Sequence, residues 1–69
     1  MEETIQERLG RNVRGYRALL GMNKVEFCNF ACLSRPQLDL IEEGRANLKL
    51  DTLERLALNI GKEPWQLIF

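Results

Sequence analysis

Apolar residues return along this chain at intervals of three and four, and glycines and capping residues divide them into five groups. Ile5, Leu9, Val13, Tyr16 and Leu20 predict one face of a first helix. Thr4-Ile-Gln-Glu7 opens it as a capping box, in which the hydroxyl accepts from a backbone N–H and the glutamate reaches back to the cap. Gly21 stops it. Gly10 and Gly15 inside this helix each cost about 1 kcal/mol relative to alanine, so its apolar face must be buried. Asn23-Lys-Val-Glu26 opens a second helix with Phe27, Cys28 and Ala31 inward, and the chain turns at Cys32-Leu33. Ser34-Arg-Pro-Gln37 is a third capping box; Pro36 sits in the first turn, where a helix has no use for the missing N–H. Leu38 and Ile41 face inward, and Gly44 ends the helix. Leu50, Leu53, Ala57 and Ile60 predict a fourth helix ended by Gly61, with Lys49 as a weak cap that Asp51 partly offsets through the helix dipole. "EPWQLIF" begins a fifth at Pro64, with Pro64, Leu67 and Ile68 inward. No alternating β-branched runs intervene, so the expected class is all-α, with five short helices.

The length of 69 residues predicts one domain, 1–69. A chain this short buries only about 60% of its unfolded surface, which makes self-association attractive. No apolar run approaches the roughly 20 residues a bilayer span needs, and "MEETIQERLG" is acidic and helical, unlike a signal peptide. A cytoplasmic protein with no membrane partner is expected. Cys28 and Cys32 stand four apart in a chain without histidine. Two thiols cannot close a four-ligand zinc site, so no metal or other cofactor is expected, and the pair reads as reduced small hydrophobes. With no histidine, glycine-rich phosphate loop or metal set, nothing points to an enzyme.

Ten basic and ten acidic residues cancel, which argues against a promiscuous polyanion binder but not against a polarised surface. Arg14 and Arg17 lie nearest the turn, and Lys24, Arg35, Arg45 and Lys49 complete a basic rim. Most acids (Glu2, Glu3, Glu7, Asp51, Glu54, Glu63) fall in segments away from it.

The segment from Asn23 to Gly44 is helix, tight turn, serine-capped helix, a helix-turn-helix arrangement. With "VRGYRALLGMNKVEF", "LSRPQLDLIEEGRANLKLDTLERLA" and "NIGKEPWQLI", the chain from about Leu9 to Ile68 resembles the phage-repressor, Cro-like (XRE) DNA-binding domains. The resemblance implies a lambda-repressor-like five-helix fold whose third helix enters the major groove, working as a dimer on a palindromic site. By position it makes Arg17 and Glu42 an ion pair bridging the first and third helices. It makes Arg35, Pro36, Gln37 and Leu40 the base-facing residues. Lys24, Arg45 and Asn47 match phosphate-contacting positions, and Arg14, Arg17, Ser34 and Lys49 join them in the expected phosphate set. The chain departs from the family pattern at several positions: Lys24 stands where glutamine is usual, Cys32 replaces a turn glycine, Pro36 and Leu40 replace polar reading residues, Glu43 precedes the loop close to a phosphate position, and Leu48 replaces a loop proline.

Arg35 can fork onto a guanine and Gln37 can reach adenine, while Pro36 and Leu40 offer only apolar contact to a thymine methyl. Trp65 and Phe69 point outward from the last helix and, with Ile68 in 64–69, make the expected dimer contact. The expectation is a sequence-specific, repressor-like transcriptional regulator that binds double-stranded DNA as a homodimer. No small-molecule effector is expected, since 69 residues leave no room for a second, sensing domain. The alternative is a protein-binding adaptor or antitoxin module on the same fold, kept alive by Asp39, Leu40 and Glu43 on the outer side of the third helix.

Overall fold

The computed structural model describes residues 2–69, so of the expected domain 1–69 only the first residue lies outside the described residues. Five helices follow in order: α1 Ile5–Leu20, α2 Lys24–Ala31, α3 Arg35–Glu42, α4 Leu50–Ile60 and α5 Pro64–Ile68. There is no strand among the described residues, and no helix is long and apolar enough to cross a membrane.

All three capping boxes form. Thr4 Oγ1 accepts from Glu7 N at 3.1 Å while Glu7 Oε1 accepts from Thr4 N at 2.8 Å. That backbone hydrogen bond, then the one with the Thr4 side chain, holds the Glu7 carboxyl below its ordinary pKa. Asn23 and Glu26 repeat the exchange at α2, and Ser34 and Gln37 at α3. Lys49 gives α4 no side-chain cap. Eight-residue helices such as α2 and α3 are too short to persist alone, so packing must hold them.

That packing centres on Leu9, Val13, Phe27, Ala31, Leu38, Ile41, Leu56, Ala57 and Leu67, all buried. The expected inward faces of α2, α3 and α5 are met. Two others are met in part. Ile5 and Leu20, at the two ends of α1, are exposed, because the partners of that helix cover only its middle. In α4 Leu53, Ala57 and Ile60 face the core as expected, Leu50 is 79% exposed, and Leu56, outside the expected set, is buried. The uncapped first turn of α4 overhangs the core.

Two backbone positions decide how closely the helices meet. α1 crosses α3 at Gly10, where a Cβ would stand 2.4 Å from the Ile41 carbonyl oxygen. Gly10 is therefore a contact point between backbones and not merely a weak helix residue. Cys32 ends α2 in the left-handed region, φ 58°, a conformation glycine takes more readily. Its N–H donates to Cys28 O and the Leu33 N–H does the same, which turns the chain tightly into α3.

Polar side chains tie off helix ends. Asn12 Nδ2 donates to Leu67 O at 2.9 Å and Tyr16 Oη to Gln66 O at 3.1 Å, satisfying carbonyls of α5 that have no intrahelical partner. Asn59 Nδ2 does the same for Ala31 O at the end of α2, at 3.0 Å.

Gly10→Ala and Gly15→Ala should act in opposite directions. A Cβ at Gly15 meets nothing within 4 Å, so alanine there should stabilise the fold by about 0.5–1 kcal/mol through helix propensity. At Gly10 it must push α1 off α3, at a cost of about 2 kcal/mol or more. Urea unfolding of the two variants checks this, and equal effects would contradict the close approach.

Candidate nucleic-acid interface

The turn at Cys32-Leu33 and the Ser34 cap aim α3 so that Leu38 and Ile41 enter the core and the opposite side faces out. The four residues expected to face bases, Arg35, Pro36, Gln37 and Leu40, are all exposed. Leu40 is 40% exposed, enough to present its methyl groups and still pack along the helix. Gln37 is only partly available. Its Oε1 accepts from Ser34 N at 3.2 Å, so reading a base with that oxygen would release the cap.

The far end of α3 is clasped to α1. Arg17 Nε and Nη2 donate to the two Glu42 carboxylate oxygens at 2.7 and 2.9 Å, the bidentate pairing expected for these residues. Glu42 is 7% exposed, and it is the buried charged residue of the core. The hydrogen bond to Glu42 raises the Arg17 pKa further above its already high value. Arg17 Nη1 also reaches Met22 O at 3.4 Å. Three of its nitrogens are thus engaged within the protein, and 22% of its side chain remains exposed. Arg14 Nη1 donates to the Glu42 backbone carbonyl, so this arginine too is anchored to the end of α3, although its side chain stays exposed. Gly44, φ 75°, then closes the helix: its N–H donates to Ile41 O and the Arg45 N–H to Leu40 O.

Asp39 on α3 and Glu43 just past its end also have partners; the i,i+4 spacing allows the Arg35 pairing, whereas the Lys24 contact across two helices is not visible in spacing. Asp39 Oδ1 accepts from Lys24 Nζ and from Arg35 Nε, each at 3.2 Å. The Lys24 hydrogen bond, and to a lesser degree that of Arg35, holds the Asp39 carboxyl below its ordinary pKa. Glu43 Oε1 accepts from Arg45 Nη1 at 2.9 Å. The structure thus brings Lys24 together with Arg35, and Arg14 with Arg17. Asn47 and Lys49 are exposed in the loop before α4, and their side chains make no hydrogen bond among the described residues. Asn47 also borders an apolar groove of about 400 Å³ whose walls include Ile5, Leu9, Leu50, Leu53 and Ile68.

Of the residues expected at a dimer contact, Trp65 is 59% and Phe69 81% exposed, with ring centroids 5.9 Å apart and edge-on. Ile68 is half-buried between this pair and the groove.

Among solved structures, the chain is similar to the hypothetical transcription factor NHTF from Neisseria. The match has a TM-score of 0.85 and 26% identity, and it covers 100% of this chain and 80% of that one. No protein-family model matches the chain, and no curated protein does. The fold is that of a transcription-factor-like helical domain.

Glu42→Gln should destabilise the protein by about 2–3 kcal/mol, because it leaves the Arg17 guanidinium half-buried without its anion. Removing both charges, as Arg17→Met with Glu42→Leu, should cost less than the single change. Urea unfolding measures both. A Glu42→Gln cost below about 0.5 kcal/mol, the range of an ordinary surface pair, would contradict the role given to the clasp.

Proposed function

We propose that this protein is a sequence-specific DNA-binding transcriptional regulator of the repressor type, reading the major groove through α3. The observation that carries this reading is the exposed row Arg35, Pro36, Gln37 and Leu40 on a short helix fixed at both ends inside a helix-turn-helix. The whole-chain likeness to a protein described as a transcription factor supports it. So does the resemblance of the sequence motifs to the repressor/Cro-like domains. The protein acts by binding, not catalysis, and in the cytoplasm. Arg35 supplies the forked contact to guanine, Pro36 and Leu40 the apolar contacts to thymine methyls, and Gln37 a further contact through its free amide. Lys24, Arg45, Asn47, Lys49, Ser34 and the outer edge of Arg14 contact phosphates.

The dimer forms through Trp65 and Phe69, whose exposed edge-on rings suit an interface core. A dimer reading a palindrome needs its two copies of α3 about 34 Å apart, one turn of DNA.

An adaptor on the same fold is the second reading. Its support is the internal pairing of Asp39 and Glu43 with the cations nearest them, which leaves the outer side of α3 with little net charge.

Anisotropy titration of labelled random duplex DNA separates the two. The DNA reading expects binding at low salt that weakens with a slope near −0.9 per phosphate neutralised. Arg35→Ala should weaken binding and relax base preference, with a loss of about 1–3 kcal/mol on a selected site. Absence of binding at low salt would favour the adaptor. Sedimentation should show a concentration-dependent dimer that Trp65→Ala shifts to monomer, and identical profiles for the two proteins would move the interface elsewhere.

A further inference from the structure

Asp39 lies one turn after Arg35 on α3, at the place where an acid is least expected to help a DNA reader. Both of its cationic partners use the same oxygen, Oδ1, each at 3.2 Å. Arg35 is held through Nε, at the side of the guanidinium. Its two terminal nitrogens make no hydrogen bond among the described residues, and its side chain is 53% exposed. End-on reading of guanine O6 and N7 needs that terminal pair of nitrogens, presented in a fixed orientation. Arg35 can therefore take a guanine without surrendering Asp39.

We infer that Asp39 is a specificity-determining residue of the DNA face, orienting Arg35 for a guanine and offsetting the attraction of Lys24 and Arg35 for any other sequence. The inference rests on the DNA-reading role proposed above.

Attraction between cations and phosphates is independent of sequence, so an unopposed Lys24 and Arg35 would hold all duplexes more tightly. A carboxylate between them lowers that attraction for every sequence alike. At a site with guanine in reach, an oriented Arg35 recovers the loss through two hydrogen bonds. At other sites nothing does. Discrimination is the difference between the two cases, and a residue that weakens the wrong complex raises it as surely as one that strengthens the right complex. An aspartate is ionised at neutral pH whatever its neighbours, so the negative charge between Lys24 and Arg35 is present. The departures at Pro36 and Leu40 make the device useful, since few other side chains on this helix carry base-specific donors.

The test uses duplexes selected from a random pool by the wild-type protein, with scrambled duplexes as the non-cognate partner. Affinities for both are measured at one salt concentration for wild type, Asp39→Asn and Asp39→Ala. The expected result is several-fold tighter binding of scrambled duplex by both variants and a fall of about tenfold in the selected-to-scrambled ratio. The salt slope on scrambled duplex should steepen, and guanine should lose its preference in a selection repeated with Asp39→Asn. Thermal midpoints should stay close to wild type, because exposed ion pairs contribute little to stability. A ratio unchanged from wild type, or parallel loss of both affinities, overturns the inference while leaving DNA binding intact. Failure of the wild-type protein to bind any duplex overturns the functional reading as well, and is distinguished by occurring before any variant is compared.

Discussion

Glu42 is the residue on which the rest of this small fold depends. It lies at the end of α3, nearly out of reach of water, and α1 holds it by side chain and backbone at once: Arg17 takes the carboxylate, and Arg14 the carbonyl. Just beneath, Gly10 lets the backbone of α1 come against the last turn of α3. A helix of eight residues has little stability of its own and no long lever arm. Its direction is set by what grips its two ends. At the first end that is the Ser34 cap after the tight turn at Cys32; at the second it is the clasp around Glu42. Together they fix which side of α3 faces outward.

The clasp also changes the meaning of the acids on α3. Two carboxylates in one short helix and a third at its C-cap look unsuited to a partner as negative as DNA. In the folded chain each is assigned: Glu42 to Arg17, Asp39 to Lys24 and Arg35, Glu43 to Arg45. The buried pair is structural. The exposed pairs are weak in stability terms, and their consequence is electrostatic: they offset the positive charge of Lys24, Arg35 and Arg45 on that side. What stands out on α3 is then one fork, that of Arg35, beside the exposed apolar surface of Pro36 and Leu40. On the proposed reading, a face of this kind would read few bases and depend on each of them.

Much of this was legible along the chain because it depends on near neighbours. Capping boxes span four residues, and the inward faces of α2 and α3 span one or two turns, so Ser34, Gln37, Leu38 and Ile41 announce themselves. The Arg17–Glu42 pair was anticipated only through the resemblance to repressor-like domains, since 25 positions separate its members. The misses have physical reasons. α4 has an uncapped start, and nothing in its own sequence says that Leu50 overhangs the core while Leu56 enters it. Gly10 reads as a flaw in a helix until α3 is laid across it. The pairing of Asp39 with Lys24 joins two helices through space, and no spacing rule reports it. At Gln37 the capping box that identifies α3 also engages its side-chain oxygen and leaves the amide nitrogen free.

The surface divides accordingly. The outer side of α3 with the loop after it offers hydrogen-bond donors and cations, whereas Trp65 and Phe69 offer exposed aromatic area suited to another protein chain. On the proposed function, DNA meets the first of these surfaces. Backbone amide NMR on addition of a short duplex tests this. Shifts should concentrate at Arg35, Gln37, Leu40 and Lys24 and at Arg45 to Lys49, with Trp65 and Phe69 little affected. Shifts confined to α4 and α5, or none at saturating duplex, would contradict it.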